Sequence, residues 1–255
     1  MKRAVFNQKG GVGKTTIVCN LAAVAAARGM RTLVIDLDMQ ANATRYLLGD
    51  EPPATGIADF FAGTLNFSLS STPFDAYITP SPFERLDVVA ASSELEHLQN
   101  KLEAKQKVQK LRQALSRLRG YDQIFIDTPP ALNFYSRSAL IAADEVLIPF
   151  DCDDFARQAL YALLENIAEL REDHNEDLAI GGVVVNQFQA RARLPQRMVE
   201  ALKSESLPVL EPLLASSVVV RESHEAATPL PWYAPRHRMT TAFEELFTGL
   251  ARRRR

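Results

Sequence analysis

The chain has 255 residues, 47% of them hydrophobic and 24% charged, with a net charge of −2. That balance excludes a protein that coats nucleic acid with its whole surface, leaves room for a local basic patch, and fits one large α/β core. Two cysteines, Cys19 and Cys152, in no Cys-x-x-Cys pair, argue against a disulfide framework and against a metal or iron–sulfur site, and fit a reducing cytosol.

Arg3 to Asn7 reads as the first strand, buried on both faces. It runs into Phe6-Asn7-Gln8-Lys9-Gly10-Gly11-Val12-Gly13-Lys14-Thr15-Thr16, and Ile17 to Arg28 reads as a helix closed by Gly29. Strand, Gly-rich turn and helix in that order make a phosphate cradle. The glycines let backbone N–H groups converge, and the helix N-terminus adds positive potential. In such a loop Lys14 serves the β- and γ-phosphates and the Thr15 hydroxyl ligates Mg²⁺, with Gly10, Gly11, Val12, Gly13 and Thr16 lining the nucleotide. The standard pattern wants Gly where Gln8 stands. A second lysine, Lys9, precedes the double glycine instead. The loop starts so early that no leader peptide is expected, and no apolar run is long enough to span a membrane.

Arg31 to Asp36 is the second strand, and strand–helix–strand of this length is a right-handed βαβ unit with ligands at the carboxyl ends. Asp36 and Asp38 leave that end together. One can support Mg²⁺ or the loop while the other orients a water; Asp36 alone could simply cap the next helix. Residues 50–83, rich in Pro, Gly, Ser, Thr and Phe, read as surface loops and short helices. Leu86 to Ala90 is a strand. Ser93-x-x-Glu96 reads as a capping box opening one long helix to about Leu118, closed by Gly120. Its basic face (Lys101, Lys105, Lys107, Lys110, Arg112, Arg117, Arg119) is a solvated face or a partner or DNA surface.

Gln123 to Asp127 is an apolar strand ending in an acid, followed by Thr128-Pro129-Pro130; Asp127 then reaches the Mg²⁺ shell. Leu140 to Asp144 reads as helix and Val146 to Phe150 as strand. Asp151-Cys152-Asp153-Asp154-Phe155-Ala156 precedes a helix to about Leu170. Ile180 to Asn186 is a further buried strand. Arginines gather at Arg191, Arg193 and Arg197, at Arg221-Glu222-Ser223-His224, and at Pro235-Arg236-His237-Arg238. The last helix, Thr240 to Ala251, carries Phe243, Leu246, Phe247 and Leu250 on one stripe. It reads as docked on the core with Arg252–Arg255 as a solvated basic tail. None of His97, His174, His224 and His237 has metal-ligand spacing.

The loop with Lys9, the Asp36–Thr44 stretch and Asp127-Thr-Pro-Pro together resemble the deviant Walker A ATPases of the ParA/MinD superfamily, in its ParA/Soj/IncC-like branch. The resemblance covers almost the whole chain and is looser over residues 50–83. It implies a mostly parallel twisted sheet flanked by helices on both faces, of P-loop NTPase type, with residues 1–255 as one ATPase domain and no helix-turn-helix before it. It implies Asp38 as the water-orienting carboxylate, counted with Thr15 and Asp127 at the Mg²⁺ site, and Asn42 as its helper. Met39 replaces the usual proline. Asn186 would face the adenine, and the 151–156 segment would lie on a dimer face. Lys9 would cross a two-fold axis to the partner's nucleotide and act like an arginine finger.

The resemblance further implies a homodimer made by ATP and Mg²⁺, non-specific DNA binding through Arg191, Arg193 and Arg221, and a ParB-like partner that accelerates hydrolysis. The expected location is cytoplasmic and nucleoid-associated, with no stable membrane anchor. The cargo stays open between chromosome, plasmid and a protein complex, and so do two other classes: a MinD/FlhG-like membrane-cycling regulator, against which Glu244 and Glu245 in a short last helix argue, and a phosphoryl- or electron-transferring enzyme on the same fold.

Overall fold

The computed structural model describes residues 1–51, 53–66, 72–153 and 156–252. In chain order the elements are β1 (Lys2–Val5), α1 (Lys14–Ala27), β2 (Thr32–Asp36), α2 (Asn42–Leu48), α3 (Ile57–Leu65), β3 (Thr79–Pro80), β4 (Leu86–Val89), α4 (Glu94–Ala104), α5 (Lys110–Arg117), β5 (Gln123–Asp127), α6 (Phe134–Ala142), β6 (Glu145–Asp151), α7 (Ala156–His174), β7 (Ala179–Asn186), α8 (Arg193–Ser204), α9 (Val218–Glu225), α10 (Leu230–Tyr233) and α11 (Arg238–Arg252). The sheet order is β3-β4-β2-β5-β1-β6-β7. Every neighbouring pair is parallel except β3 with β4.

Strand residues alternate between two cores because successive side chains point to opposite faces. Leu33, Ile35, Ile124 and Ile126 face one cluster with α3 to α8. Val5, Val34 and Phe125 face the other with α1, α2, α10 and α11. Both sheet faces are therefore covered, as a parallel sheet requires. α1 is apolar all round because the sheet lies on one side and the C-terminal helices on the other. Its end is a Schellman turn: Gly29, at φ 85°, donates to Ala26 O, and Met30 donates to Ala25 O.

The last helix docks as its stripe demands. Phe243, Leu246, Phe247 and Leu250 are buried, each worth about 1.5–3 kcal/mol of removed apolar surface. Arg28 from the end of α1 donates to Thr248 Oγ1 and Glu244 O, both at 2.9 Å, and lies over the Phe247 ring. Arg252 is exposed; residues 253–255 of the expected tail lie outside the described residues. Among the described residues no helix is long and apolar enough to cross a membrane.

Three expectations need correction. The long helix from Ser93 to Leu118 is two helices, α4 and α5, with a turn at 105–109 where Gln106 sits at φ 52°. The apolar series steps by six from Leu102 to Val108. That step would rotate the second group off the buried face of one continuous helix, so the chain turns to bury both. Ser93 makes no capping box: its backbone is already helical and its side chain makes no cap bond. Residues 50–83 are not all surface. α3 buries Ile57, Ala58, Phe60 and Phe61 in the core; Pro52 and residues 67–71 lie outside the described residues.

Candidate functional site

The carboxyl ends of β2, β5, β1, β6 and β7 lie side by side along one edge of the sheet. β1 is flanked by β5 and β6, so the loop that leaves it sits between Asp127 on β5 and the end of β6. Asp36 stands in register with Asp127 on the next strand out. Asn186 ends β7 on the other side.

The loop is held from beneath. Asn7 donates to Pro149 O at 2.7 Å and accepts from Lys9 N at 2.9 Å. Gly11 and Gly13 sit at φ 76° and 92°, which L side chains adopt at a cost. A Cβ built on Gly10 or Gly11 would meet no heavy atom within 4 Å, so open space faces the loop. Gly13 is the reverse: Asn186 packs on it while its Nδ2 donates to Val12 O at 2.9 Å. Gln187 adds a bond to Gly11 O at 3.0 Å. Asn186 is thus a brace of the loop as well as the residue expected at the adenine. Thr16 lies in the first turn of α1.

The two loop lysines have opposite settings. Lys14 is buried at 7% exposure and donates to Lys9 O at 3.0 Å. Burial lowers its pKa, against the raising pull of Asp127 and Asp38. Lys9 has a side chain 37% exposed; it is hydrogen-bonded to Asp153 and lies 3.9 Å from Asp151. The charge partners come from the end of β6 and the loop after it, a pairing not anticipated from the sequence. Asp154 and Phe155 of that expected dimer segment lie outside the described residues.

The acids divide their work. Asp36 is fully buried and accepts from Thr44 N, Thr44 Oγ1 and Asp38 N at 2.9, 2.8 and 3.0 Å. It is the internal tie of the turn into α2, and burial pushes its pKa up to about 6 despite those bonds. Asp38 is buried at 7% exposure and accepts from Gln40 N. Asp127 accepts from Thr15 Oγ1 at 2.7 Å; burial and then the charge of Asp36 push its pKa well up. Asn42 is exposed at the start of α2, beside a cavity of about 430 Å³ shared with Thr15, Arg45, Tyr46, His224 and Glu225. The charges of Asp127 and Asp38 act on buried Lys14, and that of Asp36 acts on Asp127, so acids outnumber the lysine here and a divalent cation would relieve the excess. Among the described residues no three His, Cys, Asp or Glu side chains could hold a metal ion by themselves. A hydroxyl and a carboxylate beside an open phosphate cradle suit Mg²⁺, which takes few protein ligands and shares the phosphates.

The candidate DNA residues do not line this cavity. Arg191 and Arg193, at the start of α8, are exposed, as is Arg221 on α9. Their two segments diverge from one parallel bridge, Phe188 to Ala215. His224, set aside in the sequence, lies against the site: Nε2 is 3.0 Å from Thr16 Oγ1, and the ring stacks on Tyr46.

A family model described as an AAA domain matches residues 2–180. The chromosome partitioning protein ParA of Myxococcus xanthus is 34% identical over 90% of this chain and 80% of its own. The sporulation initiation inhibitor protein Soj of Bacillus subtilis is 32% identical over 97% of each. Among solved structures, cobyrinic acid a,c-diamide synthase from Mycobacterium smegmatis, with bound ATP analogue and magnesium, superposes at TM-score 0.82 with 25% identity. The match covers 98% of this chain and 93% of that one.

Proposed function

The chain belongs to the ParA/MinD superfamily of P-loop ATPases, and on that premise we propose that it is a ParA-like partitioning ATPase. Its ligands are ATP and Mg²⁺. Two copies pair around two ATP molecules, the pair binds duplex DNA without sequence preference, and hydrolysis releases both. A ParB-like partner accelerates that hydrolysis and links the switch to a chromosome or plasmid. The working place is the cytoplasm, on the nucleoid, and the whole chain acts as one ATPase domain.

The observation that carries the reading is the contrast between the two lysines. Lys14 is buried beneath its own loop and occupied there. Lys9 is partly exposed and its side chain is held by the acids Asp151 and Asp153, so it is the lysine left to serve a second copy's nucleotide. Mg²⁺, when bound, would supply neutralising charge at the phosphates. Thr15 and Asp127 hold its site, and Lys14 holds the phosphates. Asp38 orients the attacking water with Asn42 beside it. Lys9 leaves Asp153 and Asp151 to meet the partner's transferring phosphoryl group. Arg191, Arg193 and Arg221 neutralise DNA phosphates, which needs charge and no base contact.

Sedimentation tests the pairing. Wild type with Mg²⁺ and a non-hydrolysable ATP analogue should sediment as a dimer, and with ADP as a monomer. Lys9→Ala should stay monomeric in both. Monomers under every condition would end the reading.

A further inference from the structure

We propose that His224 is a positioning residue that locks α9, the helix carrying Arg221, to the nucleotide loop through Thr16 and to the helix after the Asp36–Asp38 turn through Tyr46. Three segments distant in the chain meet here. Thr16 comes from the first turn of α1, Tyr46 from α2, and Ser223 and His224 from α9. His224 Nε2 and Thr16 Oγ1 share a hydrogen bond of 3.0 Å. The imidazole lies on the Tyr46 ring, with centroids 3.7 Å apart and planes 17° apart. The Tyr46 hydroxyl bonds Ser223 Oγ at 2.7 Å. Asn20, one turn beyond Thr16, closes the network. It donates to Thr16 O and to the Tyr46 hydroxyl, and accepts from Leu230 N at 3.0 Å.

Ser223 and Asn20 are fully buried and Tyr46 nearly so. A buried polar network is rigid when satisfied and costly when broken. Helices could pack here through apolar side chains alone, so the bonds specify one registry of α1, α2 and α9. The same histidine lines the cavity with Thr15 and Asn42, the expected Mg²⁺ ligand and water helper. A shift of the loop or of α2 on ligand binding is therefore passed to α9. Arg221 lies one turn before His224 and is exposed. Burial holds the His224 pKa near 4, so the ring is neutral in this role.

This inference rests on the loop being an ATP site, and its test separates the two. Hydrogen exchange would be followed with and without Mg²⁺ and a non-hydrolysable ATP analogue in wild type, His224→Phe and His224→Gln. Phe keeps the stack and loses the bond, whereas Gln restores a hydrogen-bonding tip. In wild type the ligand should slow exchange in the loop, residues 8–16, and in α9, residues 218–225. His224→Phe should melt within about 5 °C of wild type. It should keep loop protection and lose about tenfold of the ligand-dependent protection in α9. His224→Gln should recover most of it. Loop protection without any α9 response in wild type, or an unchanged α9 response in His224→Phe, would overturn the inference while leaving the ATP site standing. No loop protection in wild type would overturn both. If His224→Phe did not fold, the wild-type response and His224→Gln would still decide: Gln at wild-type α9 protection supports the bond, and Gln without it overturns it.

Discussion

Gly13→Ala should destabilise the nucleotide-free protein by about 2–3 kcal/mol. Gly13 sits at φ 92° and ψ 28°, a left-handed conformation that costs an L residue about 1–2 kcal/mol. The new Cβ would lie 2.2 Å from Asn186 Nδ2. Asn186 can swing aside, but only by giving up its bond to Val12 O, worth about 1 kcal/mol. The sum is a roughly 30- to 150-fold loss in the folding constant. Urea unfolding without nucleotide reads it, with the midpoint lowered and the slope unchanged. Gly10→Ala is the control. It has ordinary backbone and nothing within 4 Å, so its change should stay below about 0.5 kcal/mol. A Gly13→Ala protein as stable as Gly10→Ala would refute the account of how the loop is braced.

Thr44→Val should cost about 2 kcal/mol, because it removes a bond to buried Asp36 and leaves Ala91 N without its acceptor; urea midpoints showing no loss would contradict this. The pH dependence of the same measurement has a definite sign at His224. Its folded pKa of about 4 lies below the 6.5 of the free group. The stability it contributes is fully present above 6.5 and is lost as pH falls toward 4. His224→Phe should therefore gain on wild type by up to about 3 kcal/mol between pH 7 and pH 4; a constant gap between the two proteins would refute it. Arg221→Ala should weaken DNA binding alike for all sequences and lower the salt slope by about one, and an unchanged slope in a salt titration would remove Arg221 from the contact surface.

The placement of candidate site residues written in one continuous stretch was legible from the sequence. The loop from Gln8 to Thr16, the Asp36–Asp38 pair and Asp127 each follow a strand and precede a turn, so adjacency in the chain already places them. The docking of α11 was legible for the same reason, from the spacing of Phe243, Leu246, Phe247 and Leu250. The break between α4 and α5 was written in the six-residue step from Leu102 to Val108, and the core helix α3 in the spacing of Ile57, Phe60 and Phe61. Both yielded to the stronger-looking signals of a basic face and of Pro- and Ser-rich flanks. What no local pattern holds is a pairing made by the fold. Lys9 and Asp153 are 144 residues apart, and Thr16 and His224 are 208 apart. Metal-ligand spacing does not find His224, whose partners are a hydroxyl and an aromatic ring brought to it by two other helices.

Binding to random-sequence duplex DNA, with ATP, with ADP, and for Lys9→Ala with ATP, bears most directly on the proposed switch. The account predicts tight, salt-sensitive binding by wild type in ATP, loss of it in ADP, and loss of it in Lys9→Ala even with ATP. Equal binding in all three would contradict it, because the nucleotide and the lysine at the loop mouth would then have no hold on the DNA surface.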